Sequence, residues 1–269
     1  MDKTILSVII PIKNIGKWVN NIENNIKTFS KNSEFKYEFI FIYSLPEDKS
    51  VSKLKARISN NKFIKFCSDN GTGIYSAMNM GIKKATGSYM IFFGADDVFM
   101  EKSLLTIKEI LTNNSKIDIF LFEVIVNKEK EKTLRRGSVN GGKIGRIHWL
   151  FGQPRIHQGI IYRRSFIVER LISFPTKLQV TADYIFTSII YSFKPSVCEI
   201  DLPIAIYNLS GFSSKSTLIK NYIEHIKGYS QNKRLRKYLP LILISRIVFI
   251  LYKYILSFIF RIKNNLIDI

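Results

Sequence analysis

Residues 71–98 read GTGIYSAMNMGIKKATGSYMIFFGADDV, and the order of signals in this stretch decides the fold. Ala77, Met78, Gly81 and Ile82 share one side of a helix over Ile74–Lys84. Gly87 stands where a C′ glycine would close that helix. Tyr89–Phe93 (YMIFF) is a continuous apolar run, as expected of a strand buried on both faces. It ends in Gly94-Ala95-Asp96-Asp97, two adjacent carboxylates just past a buried strand. Burying unpaired carboxylates is costly, so they call for a cation, donors or water. A divalent cation carrying a diphosphate fits, because Mg²⁺ and Mn²⁺ prefer hard oxygen ligands, typically one or two protein carboxylates plus phosphate oxygens. A solvated turn, or capping ahead of a helix over Glu101–Leu111, is the other reading of the same pair.

The same alternation runs upstream. Ile5–Ile10 is a buried strand that stops at Pro11, and Ile15, Trp18, Val19, Ile22 and Ile26 then recur at helical spacing. Tyr37–Tyr43 and Lys62–Cys67 are further strands, with a short helix at Val51–Ile58 between them. Strands separated by helices mean βαβ units and a mostly parallel sheet. Ligands of such sheets bind outside the carboxyl ends of the strands, which singles out 11–16, 44–50, 68–73 and 94–98. Gly71 and Gly73 let the backbone run close to a ligand before a helix starts. The stretch is neither a P-loop nor a dinucleotide fingerprint, since it lacks both the Gly-Lys-Ser/Thr and the third glycine.

Downstream the pattern loosens. Ile117–Val126 reads as a strand, 128–136 as a hairpin edge, and 138–145 with its three glycines as a mobile loop. His157 precedes a strand at Gln158–Tyr162, Thr181 is the expected N-cap of a helix to Phe193, and Pro203 interrupts strand-like pieces between Glu199 and Tyr207. Trp18 and Trp149 read as packing residues, with sugar stacking as the rival role for Trp149.

The 269 residues make one large domain, or one with appendages. With 46% hydrophobic and 13% aromatic residues, disordered and low-complexity classes are excluded. Cys67 and Cys198 are too few for a disulfide framework or a structural zinc site. The first residues run straight into an apolar strand with no cleavage-site pattern, so a cytoplasmic location is expected. Of the net charge of +20, residues 213–269 carry +9, from eleven Lys/Arg against Glu224 and Asp268. Such clustering points to an anionic surface rather than to nucleic acid, for which no binding module is present. Ile219–Tyr238 reads as a basic amphipathic helix, and Leu239–Ile262 is the most apolar stretch of the chain. It holds no uncharged run of spanning length. Arg246, Lys253 and Arg261 fall on nearly one helical face, which suits a helix lying in a membrane interface with basic heads snorkelling to phosphates. Docking on the protein's own core, or in a homodimer contact, is the rival arrangement.

Taken together, SVIIPIKN (7–14), GIYSAMNMGIKKATGSYMIFFGADD (73–97), HQGIIYRRSF (157–166) and TADY (181–184) resemble, in that order, the family 2 glycosyltransferases of the GT-A fold. The resemblance covers about residues 4–213 and is greatest to bacterial enzymes of O-antigen, colanic acid and capsule synthesis. It implies an α/β GT-A domain over 1–213, with a nucleotide-sugar half to about residue 100 and an acceptor half beyond it, followed by a helical membrane-associating extension over 214–269. By the resemblance, Asp97 would ligate Mg²⁺ or Mn²⁺, Asp96 would share the metal or contact the ribose, and Asp183 would be the general base. Pro11 and Asn14 would shape the nucleotide pocket. The 71–75 loop, with Gly73 and Tyr75, would approach the donor, as would Asn79 in the same block. His157 would line the floor near the diphosphate or the acceptor, and Arg163 and Arg164 would offset phosphate charge from the donor or from a lipid diphosphate.

The chain also departs from the family. Where the family places an acidic D-G-G-S-T-D loop, the chain has Tyr43-Ser44-Leu45-Pro46-Glu47-Asp48, so Tyr43 replaces the base-reading aspartate and only Asp48 matches. Gly71, Ser76 and Gly94 stand at three further acidic positions. The resemblance implies an inverting, metal-dependent transfer of a sugar from a nucleotide donor, UDP-linked in the first instance, to a polyprenyl-diphosphate-linked glycan. The setting would be peripheral, at the cytoplasmic face of a bacterial inner membrane. The lost carboxylates motivate the rival expectation, a catalytically impaired glycan-binding or assembly module.

Overall fold

The structure is a computed structural model that describes residues 4–31, 34–58, 60–128, 131–135, 148–150, 153, 155–208, 217–248 and 251. Its strands are β1 (Leu6–Ile12), β2 (Tyr37–Ser44), β3 (Ile64–Asp69), β4 (Tyr89–Phe92), β5 (Val98–Phe99), β6 (Ile119–Lys128), β7 (Glu131–Arg135), β8 (Ile160–Arg163) and β9 (Val197–Asn208). Its helices are α1 (Val19–Ser30), α2 (Lys49–Ile58), α3 (Ile74–Lys84), α4 (Leu104–Asn113), α5 (Arg164–Glu169), α6 (Ala182–Tyr191) and α7 (Leu218–Gln231). The strands join into one sheet in the order β3-β2-β1-β4-β8-β6-β9-β5, with β7 added to β6.

Apolar alternation builds two cores on the two faces. Ile9, Ile40, Met90, Phe92 and Tyr162 turn toward α3 and α6. Their chain neighbours Val8, Ile10, Phe39, Phe41 and Ile91 turn toward α1, α2 and α4. Both faces are covered by helices, the arrangement in which a sheet can carry continuous apolar strands.

The sheet is mixed rather than mostly parallel. The β3-β2-β1-β4 half is parallel, as expected. β8 then runs antiparallel to β4 and to β6, β9 returns parallel to β6, and β5 is antiparallel to β9. The switch comes after Phe92: helices still separate β5 from β6 and β8 from β9, but consecutive strands there no longer lie side by side as parallel neighbours.

Three local expectations need correcting. β1 does not stop at Pro11 but runs to Ile12. Proline is tolerated there because β4 ends its pairing at Phe92 opposite Ile9, leaving no strand to miss the absent N–H. Gly87 does not cap α3, whose C-cap is Ala85. Its role is close approach: a Cβ at this position would lie 2.7 Å from the Ser7 hydroxyl and 2.8 Å from the Ser7 nitrogen. Pro203 does not split the last strand; the register against β6 slips around Glu123 and β9 continues.

In the C-terminal part, α7 ends at Gln231, short of the expected Tyr238, and residues 239–248 are helical again. Tyr229, Leu235 and Ile242 are fully buried against the α6 side of the sheet. Leu243, Ile244, Ile247, Val248 and Leu251 are exposed. Arg246 turns inward, its guanidinium over the rings of Tyr184 and Tyr222, rather than outward to a membrane surface. No helix among the described residues is long and apolar enough to cross a membrane. The expected loop at 138–145, Lys253 and Arg261 lie outside the described residues.

Candidate active site

A cavity of about 1070 Å³ opens at the carboxyl ends of β1 and β4 and at the start of α6. Pro11 and Asn14 line it from β1, Gly73 and Tyr75 from the entry to α3, Asp96 and Asp97 from the turn after β4, His157 and Gln158 from the turn before β8, and Asp183 from α6.

Asp97 is fully buried, and its carboxylate is fixed by specific donors. Oδ2 accepts from the Gly94 backbone N–H at 2.7 Å and from the Gln158 side chain at 2.8 Å. Oδ1 is buried with no hydrogen-bond partner. Burial, with Asp96 alongside, pushes the Asp97 pKa up to about 7. An orphaned carboxylate oxygen of this kind gains from a cation more than a solvated one does. Gly94 makes the arrangement possible. A Cβ there would lie 2.7 Å from Asp96 Oδ1 and 2.8 Å from Asp97 Oδ2, so both carboxylates occupy the space a side chain would take. Among the described residues there is no cluster of three or more His, Cys, Asp or Glu that could hold a metal. A two-carboxylate site suits a hard divalent ion that draws its remaining ligands from phosphate and water, and the residues present fit Mg²⁺ or Mn²⁺ in that sense.

The turn bearing these acids is tied down by amides. Asn21 of α1 donates to the Ala95 and Asp97 carbonyls, both at 2.8 Å. Asn25 donates to the Asp97 carbonyl at 2.9 Å and accepts from the Phe99 N–H at 2.9 Å. Asn208 donates to the Asp96 carbonyl. Sequence reading missed Gln158 and these three asparagines. The one legible signal was Asn25, a polar residue at a position where the helical period places the core.

Asp183 stands in the first turn of α6, where its Oδ1 accepts from the Tyr184 N–H at 2.8 Å. Burial, with Glu224 nearby, raises its pKa to about 6. That value suits a group that must be ionised near neutrality yet still attract a proton. Tyr75 donates to the Val180 carbonyl at 2.8 Å and so ties the α3 entry to the segment leading into α6. His157 is buried against Phe92, its ring centroid 5.1 Å away, with neither nitrogen hydrogen-bonded. Burial lowers its pKa to about 4, so it is a neutral wall of the cavity.

Five expected site residues are placed elsewhere. The Tyr43 ring lies under the Lys55 ammonium, 3.8 Å from it. Asp48 accepts from the Ser50 and Val51 N–H groups at the start of α2 and from the Asn14 N–H at 2.9 Å. It therefore shapes the β1 loop, in which Asn14 has φ 51°, without lining the cavity. Asn79 is paired with the backbone of Phe174 in both directions. Arg163 is bound to Asp118. Arg164 does not line the cavity either. Trp149 is buried between Tyr191 and Tyr238, a packing residue.

Residues 7–173 match the family model for Glycosyl transferase family 2. A PGL/p-HBAD biosynthesis glycosyltransferase of Mycobacterium tuberculosis is 27% identical over 180 residues, which span 66% of each chain, just under two thirds. Among solved structures, a 1–349 fragment of S. aureus TarS in complex with UDP-GlcNAc superposes with a TM-score of 0.68 over 91% of this chain and 73% of its own, at 16% identity. A mannosyltransferase from Pyrobaculum calidifontis in complex with GDP-Man and Mn²⁺ superposes with a TM-score of 0.59 over 92% of this chain and 74% of its own, at 15% identity. At such identities the structural likeness shows the fold, a GT-A-like α/β sheet. The chain belongs to glycosyl transferase family 2.

Proposed function

We propose that the protein transfers a sugar from a nucleotide donor, UDP-linked in the first instance, to a hydroxyl of a lipid-linked glycan, with inversion at the anomeric carbon. The observation that carries this reading is that Asp96, Asp97 and Asp183 line one cavity with Pro11 and Asn14 of the first strand. In the proposed reaction Asp183 removes the proton from the acceptor hydroxyl as its oxygen forms a bond to the anomeric carbon. The bond from that carbon to the donor phosphate breaks, and the electron pair leaves with the nucleoside diphosphate. Asp96 and Asp97 would hold Mg²⁺ or Mn²⁺, whose charge would stabilise the departing diphosphate. His157, being neutral, walls the cavity without competing for the proton.

A membrane-bound acceptor is supported by the exposed apolar residues between 243 and 251, which follow the basic cluster Lys233, Arg234, Arg236 and Lys237. Each basic residue near an anionic bilayer contributes about 1 kcal/mol of attraction. Peripheral attachment at the cytoplasmic face of a bacterial inner membrane, and a role in O-antigen or capsule synthesis, belong to the same proposal. The proposed division into a catalytic body and an extension falls within residues 209–216, outside those described. The rival reading, a non-catalytic glycan-binding module, is favoured by Tyr43, which stands in place of a base-reading acid and packs with Lys55.

The deciding experiment is a screen of nucleotide sugars with Mn²⁺ and a synthetic lipid-diphosphate acceptor, read by mass spectrometry. A glycosylated product that depends on Asp183 supports the transferase. Metal-dependent binding of nucleotide sugar with no turnover on any acceptor overturns it in favour of the binding module.

A further inference from the structure

Glu224 is the one acid in the described part of an otherwise basic C-terminal segment, and it is buried. From α7 it reaches the backbone just ahead of α6. Its Oε1 accepts from the Gln179 N–H at 3.0 Å, and its Oε2 accepts from the N–H groups of Val180 at 2.9 Å and Thr181 at 3.0 Å, and from the Thr181 hydroxyl at 3.2 Å. Thr181 is the N-cap of α6, yet its own side chain makes no capping bond. A helix start leaves several N–H groups unsatisfied and favours negative charge. Here a carboxylate from another helix supplies the negative charge, and it binds the N–H groups of the three residues that lead into the helix rather than those of its first turn.

The geometry points to Glu224 as a positioning residue for Asp183, holding residues 179–181 and the first turn of α6 in place against the cavity. This rests on reading Asp183 as the general base. Gln179, Val180 and Asp183 all line the cavity, so the clamp fixes its wall as well as the base. The clamp lies outside residues 7–173, in a helix the family match does not reach.

The second effect is electrostatic. Asp183 is faced by Tyr75 from α3, Tyr162 from β8 and Glu224 from α7. Glu224 has beside it on its own helix His225, held neutral by burial, and Lys220, whose ammonium bonds the Gln179 side chain at 3.0 Å. Lys177 lines the cavity nearby. Its backbone donors keep Glu224 ionised, with its pKa below the usual carboxylate value, so a fixed negative charge stands near Asp183 and holds the proton affinity of that aspartate up.

The test separates charge from geometry and needs no substrate. In full-length protein carrying ¹³Cγ-labelled aspartate, with the Asp183 resonance assigned through D183N, the Asp183 titration midpoint is followed in wild type, Glu224→Gln and Glu224→Asp. In E224Q the midpoint moves to lower pH and amide exchange at 179–181 accelerates. In E224D, which keeps the charge but shortens the reach, exchange at 179–181 accelerates by about tenfold or more while the midpoint stays nearer wild type. An unchanged midpoint together with unchanged exchange in E224Q overturns the proposal. Should E224Q fail to fold, unchanged exchange in E224D overturns it. Full transfer activity in D183N would remove the base role alone, leaving the midpoint and exchange data to decide the clamp.

Discussion

Asp97 and Asp183 line the same cavity but are held by different means. Asp97 is fastened from several elements: its carboxylate by the Gly94 N–H after β4 and by Gln158 ahead of β8, its carbonyl by Asn21 and Asn25 of α1. One oxygen is left over, and that oxygen is buried. Asp183 has one local bond, to the N–H of the next residue, and the backbone before it is anchored by Glu224 from α7. The first carboxylate and its turn are held by bonds from α1, from the turn before β8 and from β9. The second depends on the docking of a helix distant in sequence. If Asp97 holds a cation and Asp183 is the base, as proposed, the two are supported separately, which fits a reaction in which two substrates must be brought together.

The contrast breaks most visibly at Asp97. Asp97→Ala removes the buried oxygen that a cation would take, and transfer is expected to fall by about 10³-fold or more, with far-UV circular dichroism unchanged. Added Mn²⁺ should not restore it. An active D97A enzyme would end the proposal that the two acids hold the metal.

Asp183→Asn comes next, with an expected loss of about 10²- to 10⁴-fold, the range for removing a general base. The pH profile gives the same residue a sharper test. A protonated carboxyl cannot accept the acceptor's proton, and burial raises the Asp183 pKa to about 6. At saturating Mn²⁺, the wild-type kcat/KM, which reports the free enzyme's groups, should therefore fall as pH drops through about 6 and level off above it. An acidic limb near 4 would mean the base is an ordinary solvated carboxylate and sits elsewhere.

The two sites also differ in how far the sequence revealed them. The 73–97 block shows its helix, its strand and its acids directly, because contacts there are local or between neighbouring parallel strands. Asp183 was reached through a resemblance, and its support was not visible at all: Glu224 is 41 residues beyond it, a lone acid in a basic segment with no periodic signal. Thr181 read as a side-chain cap, but its side chain makes no capping bond, and its own N–H and hydroxyl are taken up by Glu224 of α7. The antiparallel half of the sheet was equally hidden, since β5, β8 and β9 pair with strands distant in sequence and the helices along this part of the chain do not fix their direction. Tyr43, Asp48, Asn79 and Arg163 occupy plausible positions in the chain order, yet each is bound to a structural partner.

Gln158 offers an intermediate test. Its amide donates to Asp97 Oδ2 at 2.8 Å, which fixes the carboxylate and leaves Oδ1 without a hydrogen-bond partner. Gln158→Leu should cost about tenfold in activity, mainly as a higher Mn²⁺ requirement, as is usual when the partner of a metal ligand is lost. A change in kcat alone, at unaltered metal dependence, would assign Gln158 to the substrate instead.

Arg163 should show the smallest effect on transfer, and it sets the outer limit of the site. Its Nε donates to Asp118 Oδ1 at 2.9 Å, and Asp118 Oδ2 in turn accepts from the Ser196 N–H and hydroxyl, both at 2.8 Å. The pair fastens β8 to the starts of β6 and β9, at Tyr89↔Arg163, where the parallel half meets the antiparallel half. Arg163 does not line the cavity, and a guanidinium committed to a carboxylate has little charge left for a phosphate. Arg163→Gln should leave kcat/KM within about twofold while lowering stability by about 1 kcal/mol in denaturant unfolding, since Asp118 keeps its Ser196 donors and the arginine is half-exposed. A large loss of activity at unchanged stability would place Arg163 on the diphosphate and extend the functional surface along β8.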